Sequence, residues 1–344
     1  MIFITGGTGL VGSHILLKLS QRNISFKALK RRGSSLDVCK DVFTYYNAES
    51  QFNKIKWVNG DVNDIPSLEE GIKNCTKVIH AAAIVSFHND DEEIMYKINV
   101  EGTINIVNVA LSAGIEKLSY ISSIAALGRN TTSDIVDENC DFKISKKENN
   151  YSLSKYYSEQ EVWRASQEGL DVVILNPSVI LGPGDWTKGS SQIFQKIYDG
   201  LKYYTSGSTG YVDVTDVAEC AIKLLESDIK NERFIINGAN LKFRELFDMI
   251  AEGFNKKKAT IKVTPLMKEL AWRIELLRSF ITGRRPLITK ETANSAMKNS
   301  SYSTKKIQDT ISFKFVPIQE SVKKYCQWFT LHYMKHLEHN HHKS

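Results

Sequence analysis

A chain of 344 residues can bury a full core, as one large domain or as two smaller ones. Its 42% hydrophobic and 24% charged residues are ordinary for a globular protein, and no apolar run is long enough to span a bilayer. The formal charge of +6 is modest: it admits anionic ligands but gives no reason to expect nucleic acid. Five scattered cysteines (Cys39, Cys75, Cys140, Cys220 and Cys326) form no C-x-x-C, which suits reduced thiols and argues against a disulfide framework or a zinc site. No charged leader precedes the first strand, so the expectation is a cytoplasmic protein without a metal.

In chain order, Met1-Ile2-Phe3-Ile4 reads as a buried strand and Leu10–Leu19 as a helix with an apolar stripe. Between them lies Thr5-Gly6-Gly7-Thr8-Gly9-Leu10-Val11-Gly12, which fits both Gly7-x-Gly9-x-x-Gly12 and Gly6-x-x-Gly9-x-x-Gly12. A glycine turn from strand to helix lets the backbone approach a pyrophosphate, and the helix N-terminus offers unpaired N–H groups and partial positive charge. Gly6, Gly7, Thr8, Gly9, Leu10, Val11 and Gly12 are therefore candidate cofactor contacts. Further strands are expected at Ser25–Lys30, Lys54–Val58, Lys77–Ala81, Lys117–Ser122 and Asp171–Asn176, with helices at Glu92–Ser112 and Tyr151–Gln167. This alternation predicts an α/β fold with a doubly wound parallel sheet of the Rossmann type.

The stretch Asp37–Asn53 shows no clear period and reads as a loop or irregular insertion. Asp134–Asn150 reads as an exposed loop on the ligand side. After Asn176-Pro177 the pattern breaks, with helices expected at Ser191–Asp199, Val214–Ser227, Phe243–Phe254, Leu266–Thr282 and Gln319–His336. The expected division is a dinucleotide-binding domain over 1–176, to which a segment near 210–240 returns. A smaller, mostly helical substrate lobe with a His-rich tail fills the rest of 177–344.

Tyr151-Ser-Leu-Ser-Lys155 is a Y-x-x-x-K, a spacing that also occurs at Tyr198/Lys202 and Tyr302/Lys306. Only Tyr151 opens a helix between two core strands and follows a serine pair, Ser122-Ser123, at a strand end. On a helix, residues i and i+4 share a face, so Lys155 is expected to sit near the Tyr151 phenol, lower its pKa and make it a proton donor or acceptor. A strand-end serine would donate to a substrate oxygen where charge develops.

TGGTGLVG, Gly60-Asp61-Val62, His80-Ala-Ala-Ala83, Asn99-Val-Glu-Gly-Thr103, Ser122-Ser123, Tyr151/Lys155 and Asn176-Pro177-Ser178 occur in one order along residues 1–240. As a set they resemble the extended short-chain dehydrogenase/reductase group, the NAD-dependent epimerase/dehydratase family. The resemblance implies that Tyr151 is the general acid/base, with Lys155 its electrostatic and ribose-binding partner. It implies Ser123, five residues before Gly128, as the polarising hydroxyl. It also implies Asp61 and Val62 beside the adenine, and Ala81, Ala82 and Ala83 along the cofactor channel. Asn99 would stand near the cofactor, Pro177 and Ser178 beside the nicotinamide, and a homodimer through the helices around Glu92–Ser112 and Tyr151–Gln167 is consistent with it.

An acid at the end of the second strand would bind ribose hydroxyls and repel a 2′-phosphate. That place holds Lys30, followed by Arg31 and Arg32, which favours NADP(H), with NAD(H) the second choice. The wording of Asn176–Pro183 and Gly210–Val217 resembles the dihydroflavonol-reductase-like and hydroxysteroid-dehydrogenase-like branch. This implies hydride transfer between NADP(H) and a carbonyl or secondary alcohol of a small organic substrate. A nucleotide-sugar epimerase or dehydratase is the alternative, disfavoured because Gly207–Tyr211 has no arginine for a diphosphate; a non-catalytic dinucleotide sensor is the third. Phe87, Trp186, Tyr203 and Tyr204 are candidate walls of the substrate site.

Two stretches stand outside this scheme. Leu266–Arg285 mixes apolar residues with Lys268, Arg273, Arg278, Arg284 and Arg285. Such a helix can lie on an anionic membrane; the favoured reading is a lobe helix with its apolar face packed inward. The tail histidines His332, His336, His339, His341 and His342 read as opportunistic metal binders rather than a metal site.

Overall fold

The computed structural model describes residues 1–128, 135–145, 148–282, 286 and 289–341, with backbone alone for Asn89 and for 332–341. Seven parallel strands build the central sheet: β1 (Ile2–Thr5), β2 (Phe26–Lys30), β3 (Lys56–Asn59), β4 (Lys77–His80), β5 (Lys117–Ile121), β6 (Asp171–Pro177) and β7 (Glu232–Ile236). Their spatial order is β3-β2-β1-β4-β5-β6-β7. The order reverses between β1 and β4, and ligands of open α/β sheets bind outside the strand C-termini at such a switch point.

Period-two alternation assigns each strand's side chains to two cores. Ile2, Ile4, Ile79, Val173 and Leu175 face the helices Leu10–Gln21 and Val214–Glu226. Phe3, Val78, Val172 and Ile174 face the helices Ile65–Ile72, Gly102–Ser112 and Asn150–Gln167. The sheet is thus covered on both sides.

The segment read as irregular, 37–53, is instead two helices, Asp37–Tyr45 and Glu49–Phe52. Cys39, Val42 and Phe43, at helical spacing, pack into the core of the first helix. Their short apolar stripe, flanked by polar residues, was too brief to establish a period.

The later chain adds a three-stranded sheet of Val179–Leu181, Ser208–Asp213 and Ala239–Lys242, while β7 completes the central sheet and the helix Val214–Glu226 packs on it. Asp213 ties the parts together: it caps Val214–Glu226 through the Thr215 amide (2.7 Å) and accepts from Ser321 Oγ (2.5 Å) and Tyr325 Oη (2.6 Å) of the last helix, Ile318–His341. At the other end of Val214–Glu226, Lys117 Nζ donates to the Leu224 and Ser227 carbonyls, a cation at a helix C-terminus.

The helix Pro265–Thr282 corrects another expectation. Its apolar stripe faces outward, with Leu266 70%, Ile281 73% and Phe280 88% exposed. The half-buried side mixes Met267, Ala271 and Trp272 with polar groups: Lys268 Nζ donates to Asn294 Oδ1 at 2.7 Å, and within the helix Arg278 pairs with Glu275 at 2.8 Å. Arg284, Arg285 and His342 lie outside the described residues, and the side chains of the other four tail histidines lie beyond what is described. Among the described residues, no helix is long and apolar enough to cross a membrane, and no three metal-binding side chains cluster.

Candidate active site

Beyond the C-terminal ends of β1, β4, β5 and β6 the named residues collect. The glycine turn is held by the Gly9 amide donating to the Gly6 carbonyl at 3.0 Å. Gly6 has φ +74, and a Cβ there would stand 2.5 Å from the Ala81 carbonyl carbon; one on Gly12 would stand 2.0 Å from the Gly6 oxygen. Both glycines are required by the fold itself. Gly9 differs: a Cβ there meets nothing closer than 3.5 Å, so its backbone borders open space. Gly9 is also the N-cap of Leu10–Gln21, which has no side-chain cap and no acid in its first turn. A helix N-terminus in that state suits an anion. The Leu10 and Val11 side chains instead pack against the lobe core, leaving their backbone to face the turn.

Thr5, at the end of β1, holds the neighbouring strand end in place. Its carbonyl accepts from the Ala81 amide and its Oγ1 from the Ala82 amide at 3.3 Å. Oγ1 also lies 2.6 Å from His80 Nδ1, whose other ring nitrogen lies 3.0 Å from Thr103 Oγ1. Burial, reinforced by the Lys155 charge, lowers the His80 pKa to about 3, so this ring is neutral. Asn99 lies in a π-turn, Tyr96–Glu101, that interrupts the expected Glu92–Ser112 helix. Its amide clamps Ile84 through both backbone groups, at 2.8 and 2.9 Å, and donates to Ser154 Oγ at 3.0 Å. Asn99 therefore fixes the segment after Ala81, Ala82 and Ala83 against the helix that carries Tyr151.

Asn149 caps that helix by accepting from the Ser152 amide at 2.8 Å, which sets Tyr151 in the first turn. Burial raises the Tyr151 pKa, and the polar Ser123 side chain beside it opposes the rise. The Phe87 ring meets Tyr151 edge-on at 5.8 Å. Lys155 is on the same helix face but is buried, with Nζ donating to the Ile121 carbonyl at 2.9 Å and to Tyr120 Oη at 3.4 Å. The expectation that Lys155 depresses the Tyr151 pKa is thus not met. Its charge is spent on acceptors at the end of β5, and desolvation dominates the phenol. Burial also lowers the Lys155 pKa to about 8, with Glu159 holding it up.

The serine pair divides. Ser122 Oγ is buried and donates to Glu159 Oε2 at 2.8 Å, whereas Ser123 is half-exposed beside Tyr151. Glu159 escaped the sequence reading although it stands four residues beyond Lys155 on one helix face. It also accepts from Asn176 Nδ2 at 2.8 Å and pairs with Arg233 at 3.2 Å, which links β5, β6 and β7 beneath the site.

Of the remaining residues, Lys30, Arg31 and Arg32 end β2, and among the described residues no carboxylate pairs with them. Asp61 is half-buried and accepts from the Asn63 amide at 2.9 Å, while Val62 packs on Gly102. Pro177 ends β6, and the Ser178 hydroxyl is turned onto the Ile236 carbonyl. Trp186 is buried between Phe194 and Phe329 in the lobe core and walls no cleft. Tyr204 lies under Arg244 and Tyr203 is exposed, so only Phe87 of the four aromatics adjoins Tyr151.

A sequence profile of the NAD dependent epimerase/dehydratase family matches residues 2–237. A Synechocystis protein, provisionally named a dihydroflavonol 4-reductase, is 29% identical over 96% of this chain and 94% of its own. Cinnamoyl-CoA reductase 1 of Petunia hybrida is 27% identical over 78% of this chain and 81% of its own. A Methanocaldococcus jannaschii protein provisionally named a UDP-glucose 4-epimerase is 31% identical over 73% and 81%. The crystal structure of gox2253 superposes with a TM-score of 0.79 at 29% identity, over 96% of this chain and 98% of that one. The chain belongs to the NAD-dependent epimerase/dehydratase family.

Proposed function

We propose that this protein is an NADP(H)-dependent oxidoreductase acting on a carbonyl or secondary alcohol of a small organic molecule. The observation that carries this reading is the Ser123 side chain beside the Tyr151 phenol, with buried Lys155 on the same helix face, at the strand ends beside an uncapped glycine turn. The dinucleotide fits that turn: Gly9 borders open space and the helix behind it brings no acid of its own. When bound, the nicotinamide ring supplies or accepts the hydride.

The chain's own residues manage the proton and the developing charge. For reduction, Ser123 and Tyr151 donate to the carbonyl oxygen, and the Tyr151 phenol passes its proton to it. With its pKa lowered only to about 8, Lys155 is mostly cationic near neutrality, and its ammonium holds the Ile121 carbonyl and Tyr120 at the strand end behind the helix that carries Tyr151. Unpaired Lys30 and Arg31 suit a 2′-phosphate, which supports NADP(H) over NAD(H). The two reductase names among the relatives support the same direction.

The second reading, a nucleotide-sugar epimerase with tightly held NAD, draws on the Methanocaldococcus relative. The segment Gly207–Tyr211 counts against it: a sugar diphosphate would find no arginine there. A panel of carbonyls, alcohols and sugar nucleotides, followed by NADPH absorbance and by product analysis, separates the two. Turnover of a carbonyl with NADPH oxidation is expected. Sugar interconversion without net cofactor change would overturn the reading.

A further inference from the structure

The helix Pro265–Thr282 is built the wrong way round for a protein surrounded only by water. Leu266, Leu270, Ile274, Leu277 and Ile281 recur at steps of four, four, three and four residues, making one stripe along about five turns. Each is at least half exposed, and Phe280 beside them is 88% exposed. The opposite, half-buried side mixes Met267, Ala271 and Trp272 with polar residues, and Lys268 anchors it to the protein on Asn294. An exposed apolar stripe of this length marks a surface that something else covers.

The surrounding charge says what covers it. From Lys256 to Lys290 the sequence has ten Lys and Arg against two Glu, a surplus of eight, whereas the whole chain nets only +6. The rest of the molecule is therefore slightly acidic, and the basic excess is concentrated around this helix. Lys256, Lys257, Lys258 and Lys262, just before it, are all exposed. A second copy docking here would bring a like surplus against this one, whereas an anionic surface would be complementary.

We propose that the Pro265–Thr282 helix seats the protein on the face of an anionic lipid bilayer, its Leu/Ile/Phe stripe dipping into the headgroup boundary and the preceding lysines contacting acidic lipids. The helix lies in the interface and does not span it, since its inward side is tied to the protein through Lys268 and Asn294 and it is not apolar enough to cross a bilayer. This inference is independent of the redox chemistry proposed above.

The test is co-sedimentation of the full chain with vesicles of phosphatidylcholine alone or with about one third phosphatidylserine. Binding is expected to the mixed vesicles, to weaken as salt rises, and to fall about tenfold or more in Leu277→Ser/Phe280→Ser. Because both side chains are exposed, the circular dichroism melt of that variant should match the parent. Lys256→Gln/Lys257→Gln/Lys258→Gln should weaken binding while keeping the apolar stripe. Absence of binding, equal binding to both vesicles, or a dimer by light scattering that the Leu277/Phe280 substitutions dissolve would each overturn the proposal.

Discussion

Acidification should weaken this protein through His80, and the size of the effect follows from where the ring sits. His80 is fully buried between Thr5 and Thr103, and its folded pKa is lowered to about 3 from an ordinary 6.5. The unfolded chain therefore takes up the proton first. Stability from this group is fully present above about pH 6.5 and is lost as pH falls below it, until the folded ring titrates near pH 3. Between about pH 7 and about pH 5 the loss from this one residue is about 2 kcal/mol, approaching a slope of about 1.4 kcal/mol per pH unit. His14, lowered to about 4 by burial, acts in the same direction, while Asp216, raised to about 7 by burial, acts against it. The comparison with His80→Gln removes both. Urea unfolding of parent and variant across that range should give curves that converge by about 2 kcal/mol as pH falls, whatever their offset at neutrality. Parallel curves would refute the claim that a neutral histidine holds β1 to β4.

Gly12→Ala places a methyl 2.0 Å from the Gly6 oxygen, so the turn must open; dinucleotide affinity should fall by more than about tenfold and Tm should drop, read by NADPH fluorescence and calorimetry. Glu159→Ala leaves Arg233 and two polar side chains without their shared acceptor, which should cost about 3 kcal/mol by denaturant unfolding, with Glu159→Gln costing less. Lys30→Asp/Arg31→Ser should invert the preference between NADPH and NADH, measured as the ratio of their kcat/KM values. An unchanged ratio would remove those residues from cofactor selection.

What could be read in advance was what local pattern controls. The glycine turn, the alternating strands and the Tyr151/Lys155 spacing are short-range features, and they sit at strand ends because a parallel sheet puts its connections there. What escaped was set by tertiary neighbours. The i, i+4 rule put Lys155 on the correct face, but the Ile121 carbonyl and Tyr120, 34 and 35 residues earlier in the chain, decided where its ammonium points. Glu159 draws on β5, β6 and β7 at once, which no single window contains. The stripe of Pro265–Thr282 was legible as amphipathic, yet periodicity gives only the existence of an apolar face and not the side on which it ends up.

The account depends most on the Tyr151 phenol as the proton donor in a hydride-transfer site. Tyr151→Phe keeps the ring against Phe87 and removes only the hydroxyl. Steady-state turnover with NADPH, paired with NADPH binding by fluorescence, is the direct measurement: kcat should fall by about a hundredfold or more while Kd stays within about twofold. Turnover that survives the substitution would contradict the account.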